Sequence, residues 1–173
     1  MTKCSPQNAP KIYPNIHYLE SRLLSNDVTS PVTFPDVDIN NGTNLKLMTY
    51  PETFREICEE RLEAGSVDYV VTWFFIDTAH NVIEYVDLIE NILKPNGIWI
   101  NMGGLQYMYE PYEGESSIEL AFKDLKGAII DAGLIISQAK LIDNYEYFLE
   151  DSDVQRTYKC PYFTCTKNGK LLS

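Results

Sequence analysis

Val67-Asp68-Tyr69-Val70-Val71-Thr72-Trp73-Phe74-Phe75-Ile76-Asp77-Thr78-Ala79-His80-Asn81, with Lys94-Pro95-Asn96-Gly97-Ile98-Trp99-Ile100-Asn101 further on, decides how this chain folds. The apolar run from Val67 to Ile76 reads as a strand buried on both faces. It ends at Asp77, a carboxylate that is costly to bury unpaired. Val82, Val86, Ile89 and Leu93 then make an apolar stripe, with Glu84, Asp87, Asn91 and Lys94 as a polar stripe at the same spacing. The pattern predicts a helix over Asn81–Lys94, capped by Thr78 or Asp77 and stopped by Pro95 and Gly97. Ile98 to Met102 reads as a second buried strand ending at Gly103-Gly104. Two parallel strands joined by one helix form a right-handed βαβ unit. Open α/β sheets bind ligands just outside the carboxyl ends of such strands, which makes Asp77 a site candidate. A plain helix cap is an equally open reading of the same residue.

Outward from this unit the chain is easy to divide. Pro6 to Asn44 is rich in prolines and turn formers, with one short helix expected around His17 to Leu24 and a short strand before Pro35. Pro51 to Leu62 predicts a helix that Gly65 ends. Downstream, a tyrosine-rich loop (Tyr107, Tyr109, Tyr112) leads to a helix over Phe122–Ala132, with Gly133 at the left-handed position that follows a helix. Leu134–Ile142 and Tyr158–Thr166 read as two strands joined by an acidic loop. Pro161 lacks a ladder donor, so a bulge or the start of the strand is expected there.

Composition narrows the class. The chain has 173 residues, the size of one domain, and its net charge of −11 with no Lys/Arg cluster argues against a nucleic-acid surface. A small molecule, and a cationic one, suits that charge better. Cys4, Cys58, Cys160 and Cys165 show no C-x-x-C spacing, so the expectation is reduced thiols and no zinc. The polar N-terminus and the lack of a run of roughly 20 apolar residues predict a soluble cytoplasmic protein, with the nucleus as a second compartment, and no membrane partner.

The words of the sequence go further than its pattern. FFIDTAHNVIEY over residues 74–85 and ILKPNGIWINMG over residues 92–103 closely resemble the carnosine N-methyltransferase family, the N2227-like methyltransferases that use S-adenosylmethionine. Lys3-Cys4-Ser5, Ile12-Tyr13-Pro14-Asn15-Ile16-His17, Phe34-Pro35-Asp36-Val37-Asp38, Ser117-Ile118-Glu119-Leu120 and Tyr158-Lys159-Cys160 follow in the family's order. The resemblance implies an α/β fold of the class I methyltransferase (Rossmann-like) type, with parallel strands and an antiparallel terminal hairpin. It implies a methyl transfer from S-adenosylmethionine to the imidazole of carnosine or a related histidine-containing dipeptide.

The resemblance also implies roles for residues. Asp77 matches the substrate-binding aspartate and is the first candidate for the chemistry. Tyr158 matches a substrate-binding tyrosine, with a packing role as the other reading. Met108 stands where the family carries a substrate-contacting histidine, and a one-residue slip would bring Tyr107 or Tyr109 there instead. Methionine cannot make the same hydrogen bonds, so dipeptide specificity is open at this position. For the cofactor, Thr53 and Phe54 fall on an adenine-contacting Asp-Phe pair, and Trp73 falls on a position near the adenosine. Phe54 and Trp73 have core packing as their alternatives, and His80 reads as structural.

One departure is large. A nucleoside-binding Rossmann half needs a glycine-rich turn after its first strand and an acidic residue after its second. None of the nine glycines here forms a G-x-G. Residues 1–173 therefore read as a single partial methyltransferase domain, the C-terminal half of the fold, with the glycine-rich motif expected upstream in a longer gene. The strand ending at Asp77 would then present an unpaired apolar edge, which upstream sequence, a homodimer or another partner would complete. The competing reading is a non-catalytic subunit or remnant that completes another chain's sheet; a third is a methyltransferase for another small molecule or a peptide histidine.

Overall fold

The computed structural model describes residues 11–13, 31–33, 48, 50–109, 114, 116–146 and 157–169. The chain divides into two compact units, Met1–Tyr50 with Glu146–Thr157, and Pro51–Tyr145 with Tyr158–Ser173. In the first unit, strand β1 (Lys11–Ile12) pairs antiparallel with β2 (Val32–Thr33), the short strand expected before Pro35. The helix expected around His17 to Leu24 lies outside the described residues.

The second unit holds a four-stranded sheet. In chain order its elements are α1 (Phe54–Glu56), β3 (Val67–Trp73), α2 (Val82–Ile92), β4 (Leu93–Met102), α3 (Phe122–Asp131), β5 (Leu134–Glu146) and β6 (Thr157–Lys167). The sheet order is β3-β4-β6-β5. β3 and β4 are parallel neighbours joined by α2, and β6 returns antiparallel to β4. The contacts Ser137–Thr164, Lys140–Tyr162 and Asp143–Lys159 run in opposite directions along β5 and β6, as an antiparallel pair requires. The βαβ unit and the terminal hairpin are thus present as expected.

The register puts Val70 and Thr72 beside Trp99 and Asn101, and these beside Cys165 and Phe163. This face packs on Val82, Val86 and Ile89 of α2 and Leu125 and Ile129 of α3, the stripes that the helical spacing marks out. Inside it Trp99 Nε1 donates to Thr72 Oγ1 at 2.8 Å, and Thr72 Oγ1 donates to Asn101 Oδ1 at 2.7 Å. Asn101 Nδ2 donates in turn to the Pro161 carbonyl at 3.3 Å. One buried polar chain therefore ties the three strands together in a single register.

Several expectations need correction. β3 is not buried on both faces: Tyr69, Val71 and Trp73 are 66%, 64% and 56% exposed. Helices α2 and α3 pack on the other face, and β3 is the outermost strand of the described sheet. α2 stops at Ile92 rather than Lys94, because Leu93 already pairs with Val67. Lys94 to Gly97 is a bulge in β4, not the loop after a helix, and Asn96 takes the left-handed conformation (φ 65°). The expected Pro51–Leu62 helix is a single turn, α1, followed by a π-helical segment, Ile57–Arg61. Pro161 lies inside β6 with no break in the pairing from Met102–Tyr162 onward, and its carbonyl accepts from Gly103 N–H at 3.4 Å. β4 turns away beyond that point, so the missing donor costs the ladder little. Gly133 takes the positive φ expected of it (95°).

Candidate functional site at the carboxyl end of the sheet

Past Trp73 the chain reverses sharply at Phe74, whose φ of 48° is a strained value for a residue with a side chain. Phe74 N–H donates to Met102 O at 2.8 Å, which brings the backbone of β3 against Gly103. A Cβ on Gly103 would lie 2.8 Å from both N and Cα of Phe74, so only glycine allows this approach. The reversal leads into a 3₁₀ turn, Ile76–Thr78, held by Thr78 Oγ1 donating to Phe75 O at 2.6 Å.

Asp77 sits in that turn and caps nothing. The N-cap of α2 is Asn81, whose side chain accepts from Ile83 N–H. The expectation of Asp77 or Thr78 as cap is thereby corrected. Asp77 is half-buried, and burial raises its carboxyl above the ordinary carboxylate range; the backbone N–H groups of Asp77 and Gln106 oppose that rise. Its negative charge also adds to the rise that burial imposes on Tyr107 and Cys160. A carboxylate held this way accepts a hydrogen bond strongly.

Tyr158, on β6, reaches the same place. Its ring stands edge-on to Phe74 at 5.7 Å between centroids, and its hydroxyl lies 3.5 Å from Gln106 Oε1. Tyr158 and Asp77 converge over Gly104: a methyl group there would lie 3.3 Å from Cδ1 of Tyr158 and 3.8 Å from Oδ2 of Asp77. Tyr145 joins them by a route the sequence did not show. A left-handed residue at Asn144 (φ 56°) precedes it near the end of β5, and its ring contacts Phe74 at 5.4 Å and Trp73 at 6.4 Å. Among the missed residues, Gln106 carried no signal, while Asn144 lay in the loop expected after Ile142 and is instead part of β5, which runs on to Glu146.

The remaining candidates fall in different places. Met108 donates its N–H to Asp77 O at 2.9 Å, while the residue is 52% exposed. Tyr107 is buried, donating to Leu120 O at 2.8 Å and accepting from Leu120 N–H at 3.1 Å; it pins the loop to the core. Tyr109 stacks on His80. Thr53 is the N-cap of α1 in a reciprocal box with Glu56, its hydroxyl donating to Glu56 Oε2 at 2.7 Å. Phe54 packs on Phe75 and Tyr85, with centroids at 5.4 and 4.9 Å. Trp73 is not a core tryptophan; it lies on the exposed sheet face. Thr53 and Phe54 thus have local partners, Trp73 is exposed, and the described residues include no glycine-rich turn. Among them there is also no cluster of three His, Cys, Asp or Glu side chains able to hold a metal, and no helix long and apolar enough to cross a membrane. Cys58, Cys160 and Cys165 are free and buried, and burial pushes Cys58 up to about 11 and Cys165 up to about 12.

The parallel βαβ unit with its antiparallel return is an α/β arrangement of the class I methyltransferase type, with a half-buried carboxylate beyond the carboxyl end of its parallel strands. The chain belongs to the carnosine N-methyltransferase family, whose family model, described as Carnosine N-methyltransferase, matches residues 1–169. It is 38% identical to the carnosine N-methyltransferase of Mus musculus over 171 residues, covering 96% of this chain and 42% of that protein. It is 34% identical to the Dictyostelium discoideum protein of the same name, covering 97% and 36% respectively. The chain therefore spans about two fifths of the length of these relatives. Among solved structures it is similar to an S-adenosylmethionine-dependent methyltransferase of Methanosarcina mazei, with 12% identity, a TM-score of 0.47, and 65% of each chain covered.

Proposed function

We propose that this chain carries the acceptor-binding part of an S-adenosylmethionine-dependent N-methyltransferase that methylates the imidazole of carnosine or a related histidine-containing dipeptide. The observation that carries the reading is the convergence of Asp77 and Tyr158 over Gly104, at the carboxyl end of parallel strands, in a member of this family. The cofactor supplies an electrophilic methyl group, for which Thr53, Phe54 and Trp73 remain the candidates; Asp77 and Tyr158 are assigned the acceptor.

An imidazole is mostly neutral near pH 7, so its free ring nitrogen needs no strong base to become a nucleophile. What it needs is orientation. The Asp77 carboxylate accepts the far ring N–H, which fixes the tautomer and turns the opposite nitrogen outward. As that nitrogen is alkylated the ring becomes cationic, and the same carboxylate then faces a full positive charge in a half-buried setting. The Tyr158 ring covers one side of the site.

Asp77→Asn keeps the shape and removes the charge. A charge-assisted hydrogen bond is worth roughly 1.5–3 kcal/mol, so kcat/KM for the dipeptide should fall at least about tenfold in the active enzyme. Unchanged kcat/KM would take Asp77 out of the acceptor site. Met108 favours a second reading, another small-molecule acceptor or a peptide histidine, because its thioether offers no equivalent of a histidine's hydrogen bonds. A substrate panel in which carnosine is not the best acceptor would select that reading.

A further inference from the structure

Gly103 and Gly104 are adjacent and both buried, yet only one has a backbone reason to be glycine. Gly103 meets the Phe74 backbone at a distance no Cβ tolerates. At Gly104 the φ lies outside the left-handed region, and the atoms nearest to an added Cβ are side-chain atoms: Cδ1 and Cε1 of Tyr158 at 3.3 and 3.7 Å, and Oδ2 of Asp77 at 3.8 Å. An alanine is therefore conformationally allowed at 104, and its methyl group would stand where the tyrosine ring and the carboxylate converge.

From this we infer that Gly104 is a specificity-determining position, the floor beneath the Tyr158 ring and the Asp77 carboxylate on which a flat heteroaromatic acceptor rests. The inference rests on the acceptor-site reading above and deepens it. A ring seated over Gly104 lies against the Tyr158 face while its edge N–H meets Asp77. The extra methyl of alanine raises the floor, which hinders a ring carrying a side chain more than a bare ring with no substituent to place. One methylene of misfit in a pocket is worth roughly 10- to 200-fold in discrimination.

The test compares the chain with Gly104→Ala, measuring carnosine and free imidazole binding by calorimetry and the Gly104 amide by NMR. The unsubstituted chain should bind carnosine with a shift of the Gly104 amide signal. In Gly104→Ala carnosine affinity should fall about tenfold and imidazole affinity less, so the ratio of the two changes, which a merely structural glycine would not cause. Equal loss for both ligands, no loss, or a Gly104 amide that does not move when carnosine binds would overturn the inference and leave the acceptor-site reading standing. If the unsubstituted chain binds neither ligand, the acceptor-site reading fails, and this inference with it.

Discussion

Asp77 opposes the fold it sits in. Burial raises its carboxyl above the ordinary value of 3.8, so the folded chain holds that proton more tightly than the unfolded chain does. The stabilisation this gives is complete below the ordinary value and is lost as pH rises through the folded value. At neutral pH the charged carboxylate is a cost. Asp77→Asn should therefore melt higher than the unsubstituted chain at pH 7, with the gap closing below about pH 3, where the aspartate is neutral in both states. Melting curves at the two pH values check this, and a lower melting point for Asp77→Asn at pH 7 would make the carboxylate structural. The residue types of this site were partly legible: Asp77 ended an apolar run, and Tyr158 stood in a family signature. Gly104 and Tyr145 were not, because their importance comes from what lies across the sheet from them.

At the level of elements, the polar chain through Thr72, Trp99 and Asn101 makes the sheet specific. Thr72→Val has nearly the same shape but leaves the Trp99 indole N–H and the Asn101 carbonyl without their partner in a dry interior. Each buried group left unsatisfied costs about 1–3 kcal/mol, so urea unfolding should report a loss of about 2 kcal/mol or more. A loss under about 0.5 kcal/mol, the scatter of surface substitutions, would mean the network is replaceable. Periodicity located α2, α3 and the strands well. It erred at their ends: α2 stops at Ile92 because pairing of Leu93 with Val67 outweighs one more turn of helix. The Lys94–Gly97 segment carries turn residues for a bulge as readily as for a helix stop.

For the whole molecule, the sheet is covered by α2 and α3 on one face, while Tyr69, Val71 and Trp73 form an exposed apolar stripe along the outermost described strand. The glycine-rich turn that recognises a nucleoside is lacking in the described residues. The isolated chain should consequently bind S-adenosylmethionine no tighter than the high micromolar range; low-micromolar binding in calorimetry would overturn that expectation.

The order of elements, the helix faces and the family were legible from the residues alone, because these depend on local spacing and on words that stay together along the chain. The strand expected to be buried on both faces could not be distinguished from one buried on a single face: a continuous apolar run is compatible with both until the second layer is located. The tertiary structure decided that question for β3. It also decided that Asn81 rather than Asp77 caps α2, and that Asp77, Tyr158 and Gly104 converge. Asp77, Gly104 and Tyr158 are dozens of positions apart, and the pairing of β3 with β4 and of β4 with β6, with the turn after Trp73, brings them within a few ångströms.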